Sequence, residues 1–178
     1  LIDTVAGGVI NGNGRSIAGA SSRGVDINAA QSNITIASSI TSTAAGNSVE
    51  VTKSGKSGGN TITFSGAITD PGHGINLDNN DQNGGVDTIN FTGALNIDST
   101  TFTGFNASNG GTVNASNAAN SINTSTGTAL NIANTTIGAS NVIFHDISAN
   151  GAASGIILNN TGTSGHLAVT GTGTTDGS

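Results

Sequence analysis

The side chains best suited to chemistry fall in two places. The run Asp78-Asn79-Asn80-Asp81-Gln82-Asn83-Gly84-Gly85-Val86-Asp87 is the densest oxygen-ligand segment of the chain, and a hard cation such as Ca²⁺ collects roughly six to eight oxygens. Asp78, Asp81, Asn83 and Asp87 are therefore candidate calcium ligands, and calcium is the only cofactor the sequence suggests. The segment lacks the closing bidentate Glu of an EF-hand and the tandem copies of calcium-binding nonapeptide repeats. A polar turn that uses Asn and Gly for its backbone angles is the competing reading. The second place is the pair Asp26 and Glu50, which share one position of a repeated phrase. Stacked in parallel, their like charges repel. Such a pair suits a bound cation, a raised pKa, or the general acid and base of glycoside chemistry. The plainer reading leaves both solvated and relieved by Lys53 and Lys56.

Other catalytic groupings have little support. His73, His145 and His166 are isolated, with no HxH or HxxxH spacing, so neither a transition-metal site nor a Ser-His-Asp arrangement is indicated. Sugar-cleaving sites use aromatic platforms, yet the chain has no Trp and no Tyr, and Phe64, Phe91 and Phe144 sit at expected inward positions. A lyase needs Arg or Lys beside metal-bound carboxylates, and Arg15, Arg23, Lys53 and Lys56 all lie outside the acidic loop. No catalytic residue is assigned.

Composition narrows the elements that must position these groups. Gly, Thr, Asn and Ser supply more than half of the 178 residues, with one Pro and no Met or Cys. All four weaken helix interiors, which leaves a β architecture. Without Cys there are no disulfides and no thiolate metal sites. A net charge of −6 disfavours nucleic acid and anionic membrane surfaces, whose phosphates need clustered basic residues. No apolar run approaches the length of about 18 residues that a membrane span requires. The first residues lack both an initiating Met and a basic leader, as expected of an excerpt from a longer protein.

Self-similarity supplies the architecture. A phrase of small residue, apolar, any, apolar, polar recurs at Val25-Asp26-Ile27, Val49-Glu50-Val51, Ile75-Asn76-Leu77, Phe105-Asn106-Ala107, Leu130-Asn131-Ile132 and Ile156-Ile157-Leu158, with leaders 24, 26, 30, 25 and 26 residues apart. Each phrase is followed by a second alternating run: Ile34 and Ile36, Ile62 and Phe64, Ile89 and Phe91, Val113 and Ala115, Val142 and Phe144, Leu167 and Val169. A third apolar point follows in most units, at Ile40, Ile68, Leu95 with Ile97, Ile122 or Ile147. Period two means strands. Three short strands in about 25 residues make one rung of a parallel β-helix, about seven rungs in all, forming one segment over 1–178. One rung cannot bury its own apolar edge; rungs stacked about 4.8 Å apart seal a continuous core. Gly and Asn at the corners supply positive φ, and Thr and Asn can stack in ladders along the rod.

The phrases TINFTGALNI (88–97), FNASNGGTVNAS (105–116) and the run 125–173 resemble the giant, repetitive, adhesin-like surface proteins of bacteria, built from right-handed parallel β-helix repeats; ITFSGAITD (62–70) matches more loosely. The handedness comes from this resemblance. It implies an extracellular, cell-surface or secreted stalk segment with a structural or adhesive role and no catalytic motif. The expected partners are flanking rungs of the same protein, end-to-end copies, and a cell-surface or matrix ligand, with no nucleic acid and no membrane insertion. The competing class is a carbohydrate-active enzyme, a polysaccharide lyase or glycoside hydrolase of the same fold.

Two binding surfaces complete the expectations. Thr-x-Thr pairs, from 41/43 to 170/172, raise an ice-binding array, but the outward column of the second strand reads Thr35, Thr63, Asn90, Asn114, Ile143, Ala168, so the array ends after two rungs. Ile143 and Ile157 are expected to point outward on consecutive rungs, a candidate lateral contact or simply scattered apolar surface. The chain also starts and stops inside the pattern, leaving edge groups for a neighbouring rung to pair.

Overall fold

The computed structural model describes residues 2–3, 8–10, 14–42 and 45–171; Thr43 and Thr172 of the Thr-x-Thr pairs lie outside the described residues. The three strands per repeat form three parallel sheets. The first contains Ile2–Asp3, Val25–Asn28, Val49–Thr52, Ile75–Asp78, Phe105–Ser108, Leu130–Ala133 and Ile156–Asn159. The second contains Gly8–Ile10, Ile34–Ile36, Thr61–Phe64, Thr88–Phe91, Thr112–Ala115, Thr136–Phe144 and Leu167–Val169. Ser16–Ala18, Ser39–Thr41, Ile68–Asp70, Leu95–Ser99, Ser121–Thr124 and Asp146–Ala149 make the third. Each strand pairs with its equivalent one repeat away, the pattern of an all-β parallel solenoid. Six turns carry all three strands and a seventh adds two, against about seven rungs expected. The short 3₁₀ turn Gln82–Gly84 is the single helical element among the described residues.

Burial follows the alternation. Val25, Ile27, Val49, Val51, Ile75, Leu77, Leu130 and Ile132 all point into the core, as do the paired apolar residues of the second sheet up to Phe144. Burying one such side chain contributes about 1.5–3 kcal/mol, and no rung achieves this without the next. Aromatic rings bind neighbouring turns together: Phe64 stacks on Phe91 at 5.0 Å, while Phe105 meets Phe91 and Phe144 edge to face at 5.6 and 6.2 Å. The final turn differs, since Ile156, Leu158 and Val169 hold inward register but are 43%, 46% and 49% exposed.

The residue after each first-sheet strand from Val25–Asn28 onward is left-handed: Ala29, Lys53, Asn79, Asn109, Asn134 and Asn160 have φ between 51° and 61°. This reverses the chain into the second sheet. Asn tolerates that region better than Ala or Lys, and it fills the corner in the last four turns.

One expected column breaks. The strand Thr136–Phe144 starts earlier than its Val142 and Phe144 pattern indicates, with Ile137 opposite Val113 and Val142 opposite Ala115. The intervening residues bulge, so Asn114 does not face Ile143. Asn114 is instead buried, donating to Asn90 Oδ1 at 2.8 Å and accepting from the Ser140 N–H at 3.1 Å. Ile143 pairs with Ala168 and is half-buried, whereas Ile157 pairs with Asn131 and is exposed.

Candidate functional site

The first-sheet outward column keeps the register expected of it: Asp26 opposite Glu50, then Asn76, Asn106, Asn131 and Ile157. Strand pairing alone holds the two carboxylates one rung apart. Their relief comes from a residue the sequence reading left aside. Arg23, three residues before Asp26, donates from Nε to Glu50 Oε2 and from Nη1 to Asp26 Oδ2 at 3.3 Å. The Glu50 hydrogen bond and charge, aided by Asp26, raise the guanidinium pKa above its ordinary value. Lys53 and Lys56 form no ion pair with either carboxylate among the described residues, which corrects the expectation that they relieve the pair. The place a bound cation would take between the carboxylates belongs to Arg23. The i, i+3 spacing from Asp26, once placed beside Glu50, was the available signal.

Above Glu50 the column becomes an amide ladder with a direction. Asn131 Nδ2 donates to Asn106 Oδ1 at 2.7 Å, and Asn106 Nδ2 donates to Asn76 Oδ1 at 2.8 Å. Each amide thus satisfies the one below. Asn76 is the last rung, and its Nδ2 has no partner among the described residues.

Beside Asn76, three consecutive corners between the third and first sheets carry Asn47, His73 and Phe102. Asp70, buried, accepts from Ser48 Oγ at 2.8 Å and from the N–H groups of Gly72 and His73 at 2.7 and 3.2 Å. Asn47 Nδ2 donates to the carbonyls of His73 and Gly74 at 3.1 and 3.4 Å. His73 is thereby held by both its N–H and its carbonyl. Its ring stacks on Phe102 with centroids 3.6 Å apart and planes 22° apart, and Ser99 Oγ donates to the Phe102 carbonyl at 2.8 Å. Phe102 is 45% exposed, unlike the four core phenylalanines. It falls outside every alternating run, so periodicity gave no sign of it. His145 pairs with its neighbour Asp146, and His166 is exposed; the three histidines stay apart, as their spacing indicates.

The acidic loop resolves into separate roles. Asp78 Oδ1 accepts from Ser108 Oγ and Asn109 Nδ2 at 3.0 and 2.8 Å. Asp81 is exposed, with Gln82 Nε2 at 3.1 Å. Asn83 Nδ2 donates to the Gly55 carbonyl at 3.1 Å. Asp87 is buried, its Oδ1 accepting from the Asn60 N–H at 2.7 Å. Burial pushes the Asp87 carboxyl pKa up, against the opposing hydrogen bonds from Asn60 and the charge of Lys56. Among the described residues, no three of His, Cys, Asp and Glu lie close enough to share a metal ion. The glycines answer to packing: a Cβ on Gly85 would run into the Lys56 carbonyl, and one on Gly55 into the backbone of Gln82. The loop is fitted onto the loop of the turn below.

No family model, no curated protein and no solved structure matches the chain. The fold and its surface define a parallel β-solenoid tiled by short polar side chains. Among the described residues no helix is long and apolar enough to cross a membrane.

Proposed function

We propose that the chain is an extracellular structural or adhesive stalk segment of a large bacterial surface protein, without catalysis of its own. The observation that carries this reading is the repetition itself: turns paired in register along three sheets, with outward positions given to amides that satisfy one another. Such a body adds length at constant cross-section, which suits a spacer. The exposed inward residues Ile156, Leu158 and Val169 fit a face covered by a flanking turn or an end-to-end copy. The acidic surface fits partners other than nucleic acid.

Electron microscopy of the purified chain tests the spacer: narrow rods are expected, lengthening with concentration where copies stack, and compact particles without rods overturn it. Antibody labelling of intact source cells tests the location. For catalysis, the chain and its Asp26→Ala/Glu50→Ala double variant should leave a polysaccharide panel equally uncleaved. Cleavage that disappears in the variant would establish the enzyme instead.

A further inference from the structure

We infer that the groove between the Asn47, His73 and Phe102 corners and the foot of the amide ladder is a binding site for an uncharged saccharide. The groove is open to solvent, offers about 360 Å³ and is lined by Asn47, His73, Asn76, Phe102, Thr103 and Asn106 with Ile75 at its floor, room for a mono- or disaccharide. Its polar groups divide into two kinds. The donors of Asn47 and Asn106 are committed, to the His73 and Gly74 carbonyls and to Asn76 Oδ1 and Ser108 Oγ respectively. Those of Asn76 Nδ2, the Thr103 hydroxyl and the His73 ring have no partner among the described residues. The committed groups fix the wall, and the uncommitted donors belong to half-buried residues that line the groove.

The chemistry of that ligand follows from what surrounds the groove. The exposed Phe102, backed by the stacked His73 ring, beside polar side chains suits a molecule with one apolar C–H face and a hydroxyl rim. Charge selects against acidic sugars: Glu50 stands next to Asn76 in register, and Arg23, the nearby cation, is held by Glu50 and Asp26. Because Asp70, Asn47 and Ser99 pin the backbone of the two ring-bearing corners, binding needs little ordering of the protein. The inference stands on this geometry whether or not the rod serves as a stalk.

The test titrates the full chain with maltose, cellobiose, lactose and diacetylchitobiose, with digalacturonic acid as the anionic control, while following the Asn76 amide and His73 imidazole NMR signals. At least one neutral sugar should move both signals to saturation, and the anionic sugar should bind more weakly. Asn76→Ala and Phe102→Ala should each weaken binding by about three- to tenfold; Asn131→Ala, at the far end of the ladder, should leave it unchanged. Phe102→Leu retains bulk without the flat face and replaces Phe102→Ala should that variant fail to fold. Saturable shifts absent for every neutral sugar, equal binding of the anionic one, or unaltered affinity in the Asn76 and Phe102 variants would overturn the inference.

Discussion

One column of one sheet is built in two ways. In its lower turns the outward side chains are Asp26 and Glu50; in its upper turns they are Asn76, Asn106 and Asn131. Backbone pairing is the same throughout. The lower pair requires a third residue, Arg23, reaching in from the preceding corner, whereas the upper amides complete one another. An amide is donor and acceptor at once, so it can repeat indefinitely along a rod, while a carboxylate can only accept. Corners follow the same division, with Ala29 and Lys53 left-handed below and Asn79, Asn109, Asn134 and Asn160 above. The upper turns use a solution that any number of turns could share; the lower turns use one that works once.

The two regions meet where the Phe64 ring stacks on Phe91, and Phe105 carries that ring contact on through the upper turns to Phe144. Phe105→Ala should have the largest effect, a loss of about 3–5 kcal/mol in urea unfolding. A loss below about 1 kcal/mol would mean that the upper turns can collapse around the void and are less tightly joined than their rings suggest.

Asn106→Asp extends the lower chemistry into the upper ladder. It keeps the acceptor for Asn131 and removes the donor to Asn76, with no Arg placed to compensate. A loss of about 1–2 kcal/mol is expected at neutral pH, recovering as acid returns a proton to the new carboxyl. Equal stability of variant and wild type at neutral pH would show that ladder polarity contributes nothing.

Most of this division was legible beforehand, because period-two alternation fixed which side chains face out and the repeat spacing fixed which of them stack. Residues outside the alternation were not. Arg23, His73 and Phe102 sit in corners, and the path of the His73 corner depends on Asp70 accepting from that corner's own N–H groups and on Asn47 reaching its carbonyl from the turn below. The bulge in Thr136–Phe144 shifted the Asn114 column for a similar reason: Gly138 to Asn141 offer no apolar beat to reveal an insertion. Within the acidic loop, composition cannot tell an outward Asp78 from a buried Asp87.

Asp87 offers a third kind of carboxylate, enclosed and without a guanidinium, where Asp26 and Glu50 are half-buried against Arg23. Burial raises its folded-state pKa above the unfolded value, so its favourable contribution is fully present below the unfolded pKa and fades as pH rises through the folded one. Asp87→Asn keeps an acceptor for the Asn60 N–H and carries no charge. Its unfolding midpoint should therefore gain on the wild type as pH rises from 3 to 7, with the two converging in acid. A variant that instead falls behind as pH rises would show that the ionised form is favoured, and calcium added to the wild type would then identify whether a cation is the reason.

The smallest effect should come from Arg23→Gln, and it is the most direct probe of the lower turns. The Arg23 side chain is exposed at the rim of two half-buried carboxylates, so water and salt reach and partly screen the pairs, and an exposed ion pair contributes about 0.2–1 kcal/mol. Removing the charge should lower stability by no more than that at low ionic strength. The deficit should shrink toward zero near 1 M salt, where the screening length falls to about 3 Å. Adding Asp26→Asn and Glu50→Gln should abolish it at any salt concentration, since these side chains form a short copy of the upper ladder without needing a cation. A deficit that persists in high salt and in the triple variant would place the contribution of Arg23 in the packing of its aliphatic stem, and the contrast between charged and amide turns would then be one of shape.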